Sequence, residues 1–118
     1  NRLRDVPELV TPDLQVAFGR ISWFCYVIRF ADEIDRQGRD FVAESLAKKG
    51  IATGRYFAPL HQQPVMGAAS KKLKLPRTEH VAARTLALPF FNQMTEEEVN
   101  EVCDALRESL ADLSRLRT

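Results

Sequence analysis

The sequence predicts an α+β domain in which helices pack on one main face of a small sheet. Three observations support this class: an aromatic and β-branched segment over 22–30, a capped helix pattern over 36–49, and an amphipathic helix pattern after Thr95. The chain has 118 residues, of which 45% are hydrophobic and 28% charged. These values are typical of one globular domain that buries its own core.

The first half of the chain begins with residues 1–20, which contain two prolines and no sustained hydrophobic period. We interpret them as an incoming connector. Residues 22–30 carry apolar side chains at both parities, which predicts a strand covered on both faces. Asp35 is well placed to cap a helix over 36–49, and Gly50 fits its C′ position.

The elements between residues 51 and 89 are predicted from shorter sequence patterns. Residues 51–60 are expected to form a second strand, and residues 64–77, with two prolines and three lysines, a surface loop. Thr78 is expected to cap a short helix that runs to about Leu86. Residues 86–89 then form a brief extended piece, because the residue before a proline is pushed out of the α region.

The last helix has the strongest sequence signals. Thr95 and Glu98 have the spacing of a capping box, and Met94 and Val99 that of a hydrophobic staple. Apolar residues then recur at helical spacing and predict one buried stripe. The stripe consists of Val99, Val102, Cys103, Leu106, Leu110 and Leu113.

Composition excludes several classes of function. The 17 basic and 16 acidic residues give a net charge of +1, so no basic excess favours nucleic-acid binding. The longest apolar run, 21–28, is too short to cross a membrane. Cys25 and Cys103 lack the spacing of metal ligands, and we expect two buried, reduced thiols.

Residues 33–44 imitate the loop of an EF-hand, with acids at its first, third and twelfth positions (Glu33, Asp35 and Glu44). Glu33 and Gln37 are longer than the side chains this loop uses at those positions, and the charged Asp40 replaces an aliphatic residue. A capped helix start explains the pattern better. We therefore expect no metal site.

Two stretches resemble one known family. They are Gly50-Ile-Ala-Thr-Gly-Arg-Tyr-Phe-Ala-Pro-Leu-His-Gln-Gln-Pro64 and Arg84-Thr-Leu-Ala-Leu-Pro-Phe-Phe-Asn-Gln-Met-Thr-Glu-Glu-Glu-Val99. Together they are similar to the C-terminal small domain of the DegT/DnrJ/EryC1/StrS family of pyridoxal-phosphate (PLP) sugar aminotransferases. The resemblance implies a mostly antiparallel sheet, with residues 21–118 as the small domain and 1–20 as the connector from a missing N-terminal PLP-binding domain.

The resemblance also implies the activity of the parent protein. It would transfer an amino group, usually from glutamate, to a nucleotide-linked keto-sugar, as a cytoplasmic homodimer with PLP as electron sink. The cofactor lysine would lie in the missing large domain. This chain would then contain no catalytic, cofactor-binding or metal-binding residue and would be inactive alone.

Three residues are candidates for positions near the substrate: Arg55, Tyr56 and His61. The resemblance places their segment at the small-domain edge of the substrate cleft, although many members have His and Tyr where this chain has Tyr56 and Phe57. The competing interpretation is structural, with Tyr56 and Phe57 alternating across a strand and His61 bonded to its own loop. A different class of function, a free-standing non-catalytic regulatory or interaction module, also fits the self-contained pattern of capped helices.

Overall fold

A computed structural model describes residues 2–56 and 58–118. Three strands, β1 (Leu9–Val10), β2 (Tyr26–Phe30) and β3 (Thr85–Leu88), form a sheet in the order β1-β2-β3. Both pairings are antiparallel, with Ile28 opposite Leu86 in the register of β2 and β3. The predicted α+β class with an antiparallel sheet is confirmed.

Two long helices, α1 (Arg36–Lys48) and α4 (Glu96–Leu116), pack against each other and cover one face of this sheet. Strand residues two apart share a face, so Ile28 and Phe30 point together into the core. The side chains that are completely or almost completely buried come from both helices and both long strands. They are Phe30, Ile28, Leu46, Leu86, Leu106, Val42 and Ser109.

The ends of α1 form as the sequence predicts. The Asp35 carboxylate accepts a hydrogen bond of 3.0 Å from the backbone N–H of Gly38. Gly50 follows the C-cap Lys49 with φ of +79°, a conformation that glycine adopts without steric cost. The EF-hand-like segment is therefore used as a helix start.

The predicted start of α4 is confirmed as well. The Thr95 hydroxyl accepts from the N–H of Glu98 at 3.2 Å, while the Glu98 carboxylate accepts from the N–H of Thr95 at 2.8 Å. Met94 and Val99 both pack against the core, as a hydrophobic staple requires. Five of the six stripe residues are buried, and Val99 is partly buried.

The predicted strand over 51–60 is wrong. Its described residues make one isolated bridge, in which Gly54 exchanges backbone hydrogen bonds of 3.0 and 2.7 Å with Ala87. Small and polar residues around Gly54 provide no alternating apolar face, and Pro59 leads directly into a 3₁₀ turn at Leu60–Gln62. Strand β2 likewise begins at Tyr26, four residues later than residue 22.

The predicted cap at Thr78 is also wrong. Helix α3 spans Pro76–Ala82, so Thr78 lies inside it. Proline has its φ fixed near the helical value and lacks an N–H, so Pro76 starts the helix without any side-chain cap. The preceding surface segment is exposed as expected, but it contains a 3₁₀ turn (Pro64–Met66) and a short helix, α2 (Ala68–Lys71).

Residues 3–10 belong to the packed fold. Leu3, Val6 and Leu9 are buried in the core, and β1 pairs with the end of β2. No strand was predicted within residues 1–20, so β1 was missed. Two strand residues are too few to produce a detectable period, which is why the pattern did not show them. Residues 11–25 form no helix or strand.

The cysteine prediction holds for one residue of two. Cys103 on α4 is buried and free, and burial raises the pKa of its thiol. Cys25 is also free but only half-buried, because it precedes β2 on the rim of an open pocket. Among the helices of the described residues, none has the length and apolar character needed to span a membrane.

Candidate functional site

Tyr56 is the centre of the candidate site. It follows the bridge at Gly54, and 58% of its surface is exposed. Its side chain lines three neighbouring pockets of about 300, 580 and 190 Å³. Phe57, the other half of the alternation that the sequence suggested, lies outside the described residues. The exposure of Tyr56 and its place between pockets are typical of a contact residue for a ligand.

The 300 Å³ pocket, here called the arginine pocket, lies between the first half of α1, the segment 55–62 and the end of α3. Three arginines are among its lining residues. Its lining consists of Arg36, Arg39, Arg55, Tyr56, Ala58, Pro59, Gln62, Ala82 and Thr85.

Arg39 is the fixed member of this group. Only 3% of the residue is exposed. Its Nη1 donates to the carbonyl of Ala82 at 2.7 Å, and its Nε donates to Asp40 Oδ1 at 3.0 Å. Arg39 thereby joins α1 to the end of α3. Helix α3 is further held by His80, whose ring is 2.9 Å from Asp32 and lowers the pKa of that carboxyl.

Asp40 is shared between two arginines. Arg39 Nη2 lies 2.9 Å from its carboxylate and Arg55 Nη1 lies 3.6 Å from it. Arg36, one helical turn before Asp40, is exposed and has no ion-pair partner among the described residues. The pocket lining therefore includes three arginines, with the Asp40 carboxylate beside two of them and the Glu79 carboxylate 3.4 Å from Gln62 Nε2.

The 580 Å³ pocket has a different chemistry. It lies on the face of the sheet that the long helices leave uncovered, where Val27 and Ala87 provide apolar wall. Tyr56 separates it from the arginine pocket, since the tyrosine lines both. An apolar surface beside a cluster of guanidinium groups can bind and orient a ligand that has an apolar part and an anionic part.

His61 is placed differently from the other two candidates. It is 5% exposed, on the 3₁₀ turn, with Nε2 3.5 Å from Glu79 Oε1. This distance suits charge attraction to a protonated ring, but neither ring nitrogen makes a hydrogen bond to the described residues. The suggested bond between His61 and its own loop is therefore not formed. The structure brings Arg55 and Tyr56 together and packs His61 beneath the turn that carries Gln62.

Sequence reasoning missed Arg36, Arg39 and Asp40. The available signal was a charged residue, Arg39, three positions before the core residue Val42, where an inward-facing helix position normally carries an apolar side chain. A buried arginine in such a position needs nearby acceptors, and the next residue provides one.

The five lysines are placed away from the candidate site. Lys48 lies 3.2 Å from Glu44, and Lys49 lies 2.9 Å from Glu108 of α4. Lys71, Lys72 and Lys74 are exposed on the segment before α3. Lys49 also lines a separate cavity of about 540 Å³, whose other charged residues are the acids Glu97, Glu101, Asp104 and Glu108.

Comparison with known proteins gives consistent results. One relative is 32% identical over 108 residues, a dTDP-4-dehydro-2,3,6-trideoxy-D-glucose 4-aminotransferase of Saccharopolyspora spinosa, and the match covers 92% of this chain and 26% of the relative. The crystal structure of the aminotransferase TlmJ from Streptoalloteichus hindustanus matches with a TM-score of 0.80 and 29% identity, over 96% of this chain and 29% of that one.

A third match concerns the fold alone. Spr1654 of Streptococcus pneumoniae, described as a sugar aminotransferase and solved in its PMP form, has a TM-score of 0.84 at 16% identity, over 98% of this chain and 29% of that one. The chain thus spans little more than a quarter of the length of these relatives. The sequence profile of one family matches residues 1–107. The chain belongs to the DegT/DnrJ/EryC1/StrS aminotransferase family.

Proposed function

We propose that this chain is the C-terminal small domain of a PLP-dependent aminotransferase that transfers an amino group, from glutamate, to a nucleotide-linked keto-sugar. The main observation that supports this proposal is the family match over residues 1–107. The Saccharopolyspora spinosa relative supports the substrate class, because its name specifies a dTDP-linked 4-dehydro sugar as the amino acceptor. The short share of each relative that the chain covers supports its role as one domain of a larger protein.

The proposed division of labour follows from where the lysines lie. PLP supplies the electron sink for amino transfer when it is bound in the whole enzyme. The residues of this chain do not fit the cofactor, so we assign its lysine to a large domain N-terminal to the connector 1–20. The small domain 21–118 then closes the substrate cleft, in a cytoplasmic homodimer. Alone, the small domain neither forms an aldimine with PLP nor catalyses transamination.

Within that cleft we assign contact roles to Arg55 and Tyr56. Their support is exposure: Tyr56 is 58% exposed, and the Arg55 side chain 63%. We also assign His61 a position near the substrate. Its ring is buried in the turn at Leu60–Gln62. The side chains of this chain bind and orient a substrate and do not move its protons.

An exposed aromatic surface supports a partner domain. Trp23, Phe24, Phe90 and Phe91 are 37%, 75%, 43% and 53% exposed, and Phe24 and Phe90 line one pocket. Monomeric soluble proteins rarely leave a large contiguous apolar patch uncovered. We expect the isolated chain to self-associate in light scattering and to bind a hydrophobic dye. A clean monomer without dye binding at high concentration favours the free-standing interaction module instead.

The decisive experiment compares the 118-residue chain with the protein encoded by its complete reading frame. The longer protein should convert a nucleotide-linked 4-keto-sugar to its amino derivative with glutamate and PLP. The chain alone should gain no mass on any lysine after incubation with PLP and borohydride. A trapped adduct on the chain alone contradicts the assignment of the cofactor lysine to another domain. A complete reading frame that encodes no further domain contradicts the whole proposal.

A further inference from the structure

We propose that a cavity at the start of α4 binds a carboxylic acid with an apolar tail, of the size of a medium-chain fatty acid. The inference goes beyond the proposed function, because this cavity shares no lining residue with the arginine pocket and its ligand is not a partner in amino transfer. It rests on the apolar wall, on the exposed guanidinium group of Arg2 and on the thiol of Cys103.

The cavity, here called the α4 cavity, lies where the helix-covered face of the sheet meets the first two turns of α4. Tyr26 and Leu88 are opposite each other in the register of β2 and β3, and Tyr26 lies on the same strand face as the core residue Ile28. Val99 and Val102 provide the helix side. The volume is about 430 Å³, and small-molecule sites typically have about 300–1,000 Å³.

The wall of the α4 cavity favours a hydrocarbon tail. Most of its lining residues are aliphatic or aromatic. Leu14 and Phe90 are 45% and 43% exposed, so part of this apolar surface is in contact with water. A ligand that covers apolar surface gains affinity by about threefold to fourfold for each methylene group that it buries.

Arg2 determines the charge of the ligand. Of the described residues that line the α4 cavity, it alone carries a formal charge. Its side chain is 45% exposed, and its ion pair with the exposed Glu96 spans 3.8 Å, which makes that pair weak. The backbone of Arg2 is held by Arg107, whose Nη2 donates to the Arg2 carbonyl at 2.5 Å. A ligand carboxylate can accept two parallel N–H bonds from such a guanidinium group.

Cys103 shows that this charge acts on the cavity wall. Its side chain is buried and lines the α4 cavity. Burial raises the pKa of the thiol, and the positive charges of Arg2 and Arg107 oppose this effect, whereas Asp104 adds to it. The neutral thiol packs as a small apolar group, so it is compatible with a hydrocarbon tail.

Calorimetric titration of the 118-residue chain with octanoate, hexanoate and 1-octanol tests the proposal. We expect saturable binding of a single octanoate. It should be about fivefold to tenfold tighter than octanol, because the acid alone forms charge-assisted bonds with Arg2. Hexanoate, which is two methylene groups shorter, should bind about tenfold more weakly than octanoate.

Variants separate the contribution of the charge from that of the tail. Arg2→Gln should remove the preference for octanoate over octanol and leave octanol binding unchanged. Arg4→Gln is the matched control, since Arg4 is exposed and does not line the α4 cavity, and it should retain the preference. Val99→Phe should fill the cavity and weaken both ligands. Urea melts establish whether each variant is folded, and if Val99→Phe is not, Arg2→Gln decides.

Thiol labelling locates the ligand. In a Cys25→Ser background Cys103 is the one remaining cysteine. Saturating octanoate should slow its reaction with a maleimide by about fivefold or more, because the ligand covers the thiol. An unchanged labelling rate places the ligand elsewhere, for example on the exposed Trp23 and Phe24, and overturns the proposal.

The same titration on the protein encoded by the complete reading frame distinguishes a ligand site from a contact surface. Binding that is retained there supports the proposal. Loss of binding there, with binding kept by the 118-residue chain, shows that another part of the protein covers the cavity and overturns it. Equal affinity for octanoate and octanol, or a preference lost equally in Arg4→Gln, also overturns it. Failure of these measurements leaves the aminotransferase proposal intact, and failure of the amino-transfer assay leaves the α4 cavity in place.

Discussion

The cap of α4 allows a quantitative prediction. In the folded chain Thr95 and Glu98 exchange two bonds that satisfy backbone N–H groups at the helix start, at 3.2 and 2.8 Å. Thr95→Ala removes the first bond and frees the Glu98 side chain that makes the second. Loss of an N-cap costs about 0.5–2 kcal/mol. The site is exposed, so we expect about 1 kcal/mol of lost unfolding free energy.

Urea unfolding measures this loss, with a midpoint shift of about 0.5–1 M for a domain of this size. Thr95→Ser should restore most of the stability, because serine caps equally well. The matched control is Thr78→Ala, which removes the same atoms from a threonine inside α3 that caps nothing. Alanine favours a helix interior, so this variant should be neutral or slightly stabilising. If the two threonine variants lose equal stability, the placement of both helix starts is refuted.

Two further predictions concern packing and acid stability. A Cβ at Gly38 would lie 2.8 Å from Ile34 Cγ2 and 3.3 Å from Leu113 Cδ2. Gly38→Ala should therefore lower the unfolding free energy, measured in urea melts, by about 1–3 kcal/mol, although alanine has the better helix propensity. A stabilised variant would contradict this packing. Arg107 donates to Asp5 at 2.8 Å and lowers the pKa of that carboxyl below 3.8. The unfolded chain therefore binds the proton first, and stability present above pH 3.8 is lost as pH falls through the lowered pKa. Asp5→Asn should weaken this pH dependence, and an unchanged difference between melts at pH 5 and pH 3 contradicts it.

The helix ends could be predicted from sequence because their determinants are local. Asp35 caps a backbone N–H three residues away, and Thr95 does the same at α4. The stripe of α4 was equally readable, since 3.6-residue periodicity over 21 residues leaves little ambiguity. Where two local signals competed, as at Pro76 and Thr78, the fixed φ of proline determined the helix start.

The sheet was harder to predict because strand pairing depends on distant partners. Residues near Gly54 form only one bridge, although their position before a proline resembles a strand end. Leu9–Val10 pairs with β2 although no period marks it. In both cases the partner is a segment remote in sequence, and its hydrogen-bonding edge decides whether a strand forms.

The candidate site was likewise predicted only in part. Arg55 and Tyr56 were identified through family resemblance, and the structure places them side by side in the lining of the arginine pocket. Arg36 and Arg39 were missed because the pattern of α1 was interpreted only for its apolar side chains, although Arg39 is also buried. A pocket assembled from α1 and the segment 55–62 requires the tertiary contact between them, which no local pattern contains.

Arg39 gives the physical link between fold and site. Burying an arginine costs desolvation energy, and an apolar side chain in its place would often be as stabilising. In this chain the buried guanidinium bonds the carbonyl of Ala82 and the carboxylate of Asp40, so it fixes α3 relative to α1. The same bonds hold Asp40 where it meets Arg55. The bonds of Arg39 therefore preorganise the pocket. An apolar residue in place of Arg39 would keep the core packed but would remove the positive charge. We expect such a substitution to reduce ligand binding before it reduces stability.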